Sequence, residues 1–294
     1  MRNQVFLVFD SLRYDVLCEA ETPFLKSLGA WKKAWSPGSF TFPAHMSFFM
    51  GKIPQCFDGS DYADTVATRF QNGKRFRGGM QLWRLANPES RRPSLFELSG
   101  LNVIEGFAKK GFTTIGTGAV NWFNPDLAPG QYLSGSFEHF RFFREPRGRE
   151  HCSAEKQIDW ALDRTRSSKR PFFLFMNFGE THHWFRYSGC PWIDGPDPYG
   201  DASECKRRQK ACIEYLDRQV ERLLKELRDW DLVACSDHGE AMGEDGLWGH
   251  GFFHPTVMEV PLLTRIATKQ GIISKIASAA REIRSEVGRR ARGQ

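Results

Sequence analysis

The sequence predicts an α/β fold with a mostly parallel central sheet that is flanked by helices on both faces. Short apolar runs alternate with helical patterns along the chain, an order of elements that is typical of parallel sheets with crossover connections. Each run is short and mostly apolar, as expected for strands that are buried on both faces. The predicted strands are residues 4–9, 112–116, 171–178 and 231–235.

Helical patterns separate these strands. The longest covers residues 202–230, where Leu216, Val220 and Leu223 recur at the spacing of one helix face. Shorter helical patterns cover residues 103–110 and 154–167. Because the helices alternate with the strands along the chain, we expect them to cover both faces of the sheet.

Composition and charge divide the chain into a main domain, residues 1–265, and a basic C-terminal segment, residues 266–294. The chain of 294 residues is 40% apolar and 26% charged, which excludes a mainly disordered or fibrous protein. Its net charge of +6 is concentrated at the end, since the basic segment carries seven basic side chains against two acidic ones. The main domain is therefore nearly neutral, and the basic segment is predicted to be a helix or a tail.

The sequence has no evident targeting or membrane signal. No stretch approaches the roughly 18 consecutive apolar residues of a membrane-spanning helix. The first apolar run ends at Asp10, which is too early for a signal peptide. The seven cysteines have no CxxC spacing, which argues against a structural zinc site and a disulfide framework. We therefore predict a cytoplasmic protein with reduced thiols and no transmembrane segment.

Three of the predicted strands end in acidic or histidine-containing turns. Asp10 follows the first strand, Glu180 the third, and Asp237 with His238 the fourth. The carboxyl ends of parallel strands meet at one edge of a sheet, where ligand sites form. The sequence therefore predicts that these side chains converge on a polar site.

The segment 236–254 carries three histidines after an aspartate. Asp237 and His238 supply a carboxylate oxygen and an imidazole nitrogen, the mixed donor set that Zn²⁺ or Mn²⁺ accepts. His250 and His254 follow in a glycine-rich loop, near enough in sequence to fold over the same ion. The alternative is that these histidines are ordinary loop residues.

Thr41 is the candidate nucleophile of the segment 36–51. It stands where a helix N-cap belongs, with Pro43 in the first turn and a short apolar helix after it. One interpretation is a cap and nothing more. The other is a nucleophile, because a helix N-terminus stabilises an oxyanion or a phosphoryl group. A threonine hydroxyl needs a bound metal to become a good nucleophile at neutral pH.

Three motifs follow one another along the chain: residues 10–15 are DSLRYD, residues 41–51 are TFPAHMSFFMG, and residues 237–262 contain DHGE, GLWGH and VPL. Together they resemble the alkaline phosphatase/sulfatase superfamily of metallo-hydrolases, over about residues 4–264. The first is similar to the D-x-x-R-x-D motif of phosphonate monoester hydrolases, and the third to the sulfatase DHG…GLWGK…VPL pattern. The second aligns without gaps with the sulfatase signature C-x-P-S-R-x-x-x-x-T-G and puts Thr41 at the position of the nucleophile.

The resemblance implies an alkaline-phosphatase-like core and a set of roles for residues at matching positions. Asp10, Asp237 and His238 would bind a divalent metal, and Thr41 would be both a ligand and the nucleophile. His182 stands at the position of a histidine that contacts substrate oxygens.

The implied cofactor is one or two divalent ions, Zn²⁺ or Mn²⁺, with Mg²⁺ and Ca²⁺ as alternatives. A second ion would need further ligands, for which His254 is the preferred candidate. Glu180, His182, His183 and His250 are the other candidates.

Departures from the sulfatase pattern favour phosphate esters over sulfate esters. Sulfatases oxidise a cysteine or a serine to formylglycine, and Thr41 cannot form this aldehyde. His45 replaces the arginine of the signature, Ser11 replaces a second aspartate, and His250 replaces a lysine, which turns a fixed cation into a titratable group. We therefore predict catalytic roles for Thr41, His45, His182 and His250. The predicted reaction is hydrolysis or transfer of phosphodiesters or phosphonate esters through a phospho-Thr41 intermediate.

The predicted substrate is a small-molecule, lipid or nucleotide phosphoester. Two alternatives stay open: a sulfatase-like hydrolase with relaxed specificity, and a decayed catalytic core whose basic segment binds nucleic acid or an anionic surface. The basic segment has an apolar helical stripe that suits the groove of a partner protein, and a solvated helix fits it equally well. Residues 52–100 and 185–204 are the predicted walls of the cleft.

Overall fold

The computed structural model describes residues 1–51, 102–143 and 152–267, and the described residues up to Thr264 form one compact unit. The strands are β1 (Asn3–Phe9), β2 (Lys32–Trp35), β3 (Thr113–Gly118), β4 (His139–Phe142), β5 (Phe172–Phe178), β6 (Trp230–Cys235), β7 (Ala241–Met242), β8 (Trp248–Gly249) and β9 (Glu259–Arg265). The helices are α1 (Tyr14–Glu19), α2 (Pro23–Ser27), α3 (Thr41–Met50), α4 (Val103–Lys109), α5 (Ala128–Ser134), α6 (Ala154–Ser167), α7 (Ala202–Glu226) and α8 (Pro255–Met258).

A seven-stranded sheet with the order β2-β9-β6-β1-β5-β3-β4 is the centre of the fold. Strand β1 lies in the middle and pairs in parallel with β5 and β6, so that Val8 is opposite both Asn177 and Cys235. Strand β3 is parallel to β4 and β5, whereas the edge strand β2 is antiparallel to β9. The predicted α/β fold with a mostly parallel sheet is therefore confirmed.

Helices pack on both faces of this sheet. On one face, Leu7 of β1 belongs to the same buried cluster as Leu216 of α7. On the other face, Phe175 of β5 packs with Phe49 of α3 and Ile104 of α4. The alternating side chains of the central strands thus enter two separate apolar layers, and the sheet edge above them is left for polar residues.

The element boundaries differ from the predicted ones in two ways. Helix α7 begins at Ala202, as predicted, but ends at Glu226, because Leu227 has extended backbone and Asp229 has a φ of 45° before Trp230 begins β6. Strands β2, β4 and β9 had no prediction. The first two have four residues each and are mostly exposed or half-buried, so they lack an apolar run, and β9 contains a proline.

The predicted cleft wall at 52–100 and nearly all of the basic segment 266–294 lie outside the described residues. The domain boundary at residue 265 therefore stays a prediction. Within the described ranges, no helix combines the length and the apolar character needed to cross a bilayer.

Candidate active site

The carboxyl ends of β1, β5 and β6 meet and bring Asp10, Thr181 and Asp237 together. The N–H of Asp10 donates to the carbonyl of Phe178 (2.9 Å), and the Thr181 hydroxyl donates to the carbonyl of Asp10 (2.7 Å). Ser11 has a positive φ of 61°, and its N–H donates to Asp237 Oδ1 (3.1 Å). Left-handed backbone at a residue other than glycine is strained, and such strain is concentrated at functional sites.

Asp10, Asp237 and His238 form what we call the ligand group. All three side chains are fully buried, and one donor atom of each lies within 4.8 Å of the other two. His238 Nε2 is 3.7 Å from Asp10 Oδ1 and 3.5 Å from Asp237 Oδ2. Donor atoms bound at about 2.1 Å to a tetrahedral ion lie roughly 3.4 Å apart. The spacing of the ligand group therefore fits one divalent ion.

Two atoms of the ligand group, Asp237 Oδ2 and His238 Nε2, are buried without a hydrogen-bond partner. The other polar atoms of both side chains are engaged. Asp237 Oδ1 accepts from the N–H groups of Ser11 and His238 (3.1 and 3.0 Å), and His238 Nδ1 donates to the carbonyl of Gly239 (2.9 Å). Because a carbonyl only accepts, Nδ1 carries the proton and Nε2 carries the lone pair. A bound ion would satisfy both unpaired atoms.

Burial and neighbouring charges shift the pKa values of the ligand group. Burial, together with the charge of Asp10, raises the pKa of Asp237 well above its ordinary value. Burial also acts to raise the pKa of Asp10, but His182, His238 and Asn177 outweigh it and lower that pKa. Burial lowers the pKa of His238 to about 3, so the imidazole is neutral and able to bind a metal. Two buried carboxylates require a proton or a cation, and the ligand group can accept either.

Thr41 lies beside the ligand group at the start of α3. The predicted N-cap position is wrong by one residue, because Phe40 is the cap and Thr41 is the first helical residue. The Thr41 hydroxyl is 1% exposed and donates to Asp10 Oδ2 across 3.4 Å. The first N–H groups of a helix have no acceptor within the helix. The start of α3 therefore offers hydrogen-bond donors to an anion next to Thr41.

His45 lies behind the ligand group and away from solvent. Its Nδ1 is 2.8 Å from the carbonyl of Thr41, one helical turn earlier, and 3.7 Å from Asp237 Oδ2. The ring is fully buried and meets Phe123 and Phe175 edge-on, with centroids 5.0 and 5.7 Å apart. Burial lowers its pKa to about 4. This placement fits a residue that supports α3 and Asp237, and the catalytic role of His45 stays a prediction.

His182 and His250 line the more accessible side of the ligand group, and both are partly exposed. The ring centroid of His250 lies 4.3 Å from that of His238 and 5.2 Å from that of His182. Burial lowers the pKa of His182, although the charge of Asp10 opposes this effect. The structure thus brings these two predicted histidines together beside the ligand group.

Glu240 is a site residue that had no prediction. Its side chain is fully buried, the Tyr199 hydroxyl donates to Oε1, and His250 Nδ1 is 2.8 Å from Oε2. We call Glu240, Tyr199 and His250 the Glu240 group. Burial acts to raise the pKa of Glu240, but His250, His182 and Tyr199 outweigh it and lower this pKa to about 2. The sequence could have indicated Glu240 as a site residue, because it lies two residues after His238 and alternate side chains of an extended segment share one side.

Three other candidates for a second metal site are engaged elsewhere. His254 Nδ1 is 2.7 Å from the Thr256 hydroxyl at the start of α8, and its Nε2 is 3.2 Å from Asp245. His183 Nε2 is 2.8 Å from Asp197. Glu180 accepts from the N–H of Ala154 (2.7 Å) at the start of α6. The structure therefore does not bring His254, His183 or Glu180 into the ligand group. It places His238, Glu240 and His250 at metal-binding distances from one another.

Comparisons with known proteins identify the family of the chain. A family model described as Sulfatase matches residues 94–272, more than half of the chain. Human iduronate 2-sulfatase is 27% identical over 161 residues, which cover 38% of this chain and 29% of that protein. The chain thus spans less than a third of the length of this relative.

Two solved structures share the fold. The C-terminal periplasmic domain of EcEptC from Escherichia coli, in complex with Zn, has a TM-score of 0.57 and 13% identity, covering 92% of this chain and 74% of that chain. Phosphonate monoester hydrolase of Agrobacterium radiobacter has a TM-score of 0.57 and 14% identity, and the match covers 90% of this chain and 68% of that chain. Identities this low show the fold alone.

The family match begins at residue 94, so it includes Asp237 and His238 but neither Asp10 nor Thr41. The structure places those two residues beside the matched segment through the parallel pairing of β1 with β6 and the start of α3. The family model matches more than half of the chain, and the structural relatives share its fold. The chain belongs to the sulfatase family, within the alkaline phosphatase/sulfatase superfamily.

Proposed function

We propose that this protein is a metal-dependent phosphoesterase or phosphotransferase that acts through a covalent phospho-Thr41 intermediate. The observation that carries the proposal is the contact between Thr41 and the ligand group. Thr41 Oγ1 is 3.4 Å from Asp10 Oδ2, and the same group contains the unpaired buried atoms of Asp237 and His238. A nucleophile of this kind needs a nearby Lewis acid.

Asp10, Asp237 and His238 would hold the ion, and Thr41 would complete its ligands. Such an ion lowers the pKa of a bound hydroxyl and neutralises charge on a phosphoryl group. The mixed oxygen and nitrogen donors favour Zn²⁺ or Mn²⁺ over Mg²⁺ and Ca²⁺, and the Zn complex of the EcEptC domain agrees with this choice.

Residues of the chain would carry out the bond-forming and proton-transfer steps. In the first step Thr41 Oγ1 would pass its proton to the Asp10 carboxylate, to which the hydroxyl already donates, and bond to phosphorus. The ester bond breaks at the same time, and the leaving oxygen takes a proton from His182 or His250. The N–H groups at the start of α3 stabilise the phosphoryl oxygens. His182 and His250 would contact these oxygens and the leaving group. In the second step water, or an acceptor hydroxyl in a transferase, attacks phosphorus and releases Thr41.

The threonine at position 41 favours phosphate or phosphonate esters as substrates, because the formylglycine of sulfatases cannot form there. The phosphonate monoester hydrolase among the structural relatives supports this substrate class. A small-molecule, lipid or nucleotide phosphoester is the proposed substrate, and a cytoplasmic location stays a prediction. Relaxed sulfatase activity is the second candidate, favoured by the identity with iduronate 2-sulfatase.

The test is a substrate panel with purified protein and added Mn²⁺ or Zn²⁺. The panel contains p-nitrophenyl phosphate, its diester, a phosphonate ester and a sulfate ester. We expect turnover of the diester or the phosphonate ester, loss of turnover in Thr41→Ala, and retention of part of it in Thr41→Ser, which keeps the hydroxyl. Mass spectrometry of the quenched reaction should place a phosphoryl group on Thr41. Exclusive hydrolysis of the sulfate ester, or full activity of Thr41→Ala, would contradict the proposal.

A further inference from the structure

His250 stands in a loop whose backbone alone does not orient its ring. The flanking Gly249 and Gly251 have φ values of 87° and 93°, a region that glycine adopts without strain. The main chain on both sides is held, because Gly249 pairs with Ala241 of β7 and the N–H of Gly251 donates to the carbonyl of Ser39 (2.7 Å), but these contacts do not fix the rotation of the His250 side chain. The direction of the imidazole must therefore be set by its side-chain contacts.

We propose, on the basis of the phosphoester function above, that Glu240 is the positioning residue for His250 and that Tyr199 holds Glu240 in place. Glu240 Oε2 accepts from His250 Nδ1 across 2.8 Å. This contact keeps a proton on Nδ1 and makes Nε2, on the other side of the ring, the nitrogen that gives a proton to the leaving oxygen when the ring is protonated and accepts one when the ring is neutral.

The second oxygen of Glu240 is fixed by Tyr199, whose hydroxyl donates to Oε1. Tyr199 is itself held in place. Its ring stacks on His183 with centroids 3.8 Å apart, and its N–H donates to Asp197 Oδ1 (2.9 Å), which also contacts His183 Nε2 (2.8 Å). Tyr199, held by His183 and Asp197, therefore fixes the Glu240 oxygen that His250 does not contact.

The main chain of Glu240 is also held. Arg13, which is 4% exposed, donates to the carbonyl of Glu240 (3.2 Å) and to Glu244 Oε1 (2.7 Å). There is no space for a side chain at Gly239, where a Cβ atom would lie 2.1 Å from the carbonyl oxygen of Thr256. A carboxylate fixed at the backbone and at both oxygens is suited to orient a histidine.

A second bound ion is the competing explanation, because His238, Glu240 and His250 have metal-binding spacing. Three observations favour positioning. Both oxygens of Glu240 already accept hydrogen bonds. His238 Nδ1 is bonded to Gly239, so only Nε2 is available. That atom lies 3.5 Å from Asp237 Oδ2 in the ligand group, and one lone pair cannot serve two ions.

The first test is the tautomer of His250, measured from the ¹⁵N chemical shifts of its ring in the full-length protein loaded with Zn²⁺. We expect the proton on Nδ1 in the wild type and a mixture with the Nε2 tautomer in Glu240→Ala. Glu240→Gln keeps an acceptor oxygen and should keep the Nδ1 proton. An unchanged tautomer in Glu240→Ala would overturn the proposal.

The second test is a double-mutant cycle. Glu240→Ala should lower kcat by roughly 10- to 100-fold with little change in KM or in bound metal, and Glu240→Gln should restore part of the loss. In a His250→Ala background the same change should have almost no further effect. Equal losses in both backgrounds, or loss of one bound ion in Glu240→Ala, would overturn the positioning role.

Tyr199→Phe should also lower kcat, by a smaller factor than Glu240→Ala does. Tyr187→Phe is the matched control, because Tyr187 is a half-buried ring that stacks on Tyr215 (4.6 Å), and it should leave kcat unchanged. If the wild type is inert toward every ester, the proposed function fails, and the tautomer measurement still decides whether Glu240 orients His250.

Discussion

The ligand group and the Glu240 group lie side by side, and their buried polar atoms are satisfied in opposite ways. In the ligand group, Asp237 Oδ2 and His238 Nε2 have no hydrogen-bond partner. In the Glu240 group, both carboxylate oxygens accept hydrogen bonds, from Tyr199 and His250. An unsatisfied buried polar group destabilises a fold by about 1–3 kcal/mol. The contrast fits the proposals that the first group binds a metal ion and that the second supports His250.

The largest expected effect is that of Asp237→Asn. The substitution removes a charged donor of the ligand group, so we expect it to abolish metal-dependent turnover and to remove the rise in Tm that Zn²⁺ produces in the wild type. In metal-free protein the Tm should be unchanged or higher, because burial and the charge of Asp10 disfavour the ionised Asp237 carboxylate. Thermal unfolding with and without Zn²⁺ measures both effects. A lower Tm in the metal-free variant would mean that Asp237 supports the fold rather than a ligand.

The next effect concerns Glu180, another buried carboxylate, which has one unpaired oxygen, Oε2, and does not belong to the ligand group. Burial raises its pKa from an ordinary value of 4.5 to about 8, although the N–H of Ala154 opposes this shift. Between these values the folded protein keeps a proton that the unfolded chain releases. Raising the pH from about 5 to 8 therefore favours unfolding, by at most about 1.4 kcal/mol per pH unit.

Glu180→Gln lacks this titration and keeps the acceptor for Ala154. We expect the unfolding free energy of the variant, relative to the wild type, to increase with pH between about 5 and 8 and then to level off. Denaturant unfolding at several pH values measures this difference. A difference that is constant across the range would show that Glu180 is ionised in the folded protein.

The smallest effect is expected for His254→Ala. His254 caps the short helix α8 through the N–H of Thr256 and does not belong to the ligand group. The loss of a cap should lower the unfolding free energy by about 1 kcal/mol, and the metal content should stay that of the wild type. Elemental analysis of the purified variant is the measurement. Loss of a bound ion would restore the earlier prediction of His254 as a metal ligand.

The fold and part of the site could be predicted because they depend on local patterns. Apolar runs that end in Asp10 and Asp237 mark buried parallel strands, and parallel strands align their ends. The spacing of Thr41 and His45 contains a further signal. Residues four apart are neighbours on a helix, so His45 could have been predicted to contact the backbone of Thr41.

The remaining parts depend on tertiary packing that no local pattern contains. Tyr199 belongs to a segment without a recognised motif, and its contact with Glu240 joins residues that are 41 positions apart. His254 is close in sequence to His250, but helix α8 begins directly after it and takes its imidazole as a cap. The short sequence separation between His254 and His250 therefore did not predict the direction of the His254 ring.

Metal stoichiometry tests the central contrast most directly. The wild type, Asp237→Asn and Glu240→Gln are saturated with Zn²⁺, freed of loosely bound metal, and analysed by native mass spectrometry. We predict one retained ion per chain in the wild type and in Glu240→Gln, and none in Asp237→Asn. Equal loss of the ion in Glu240→Gln and Asp237→Asn would contradict the account, because it would make the Glu240 group part of the ligand site.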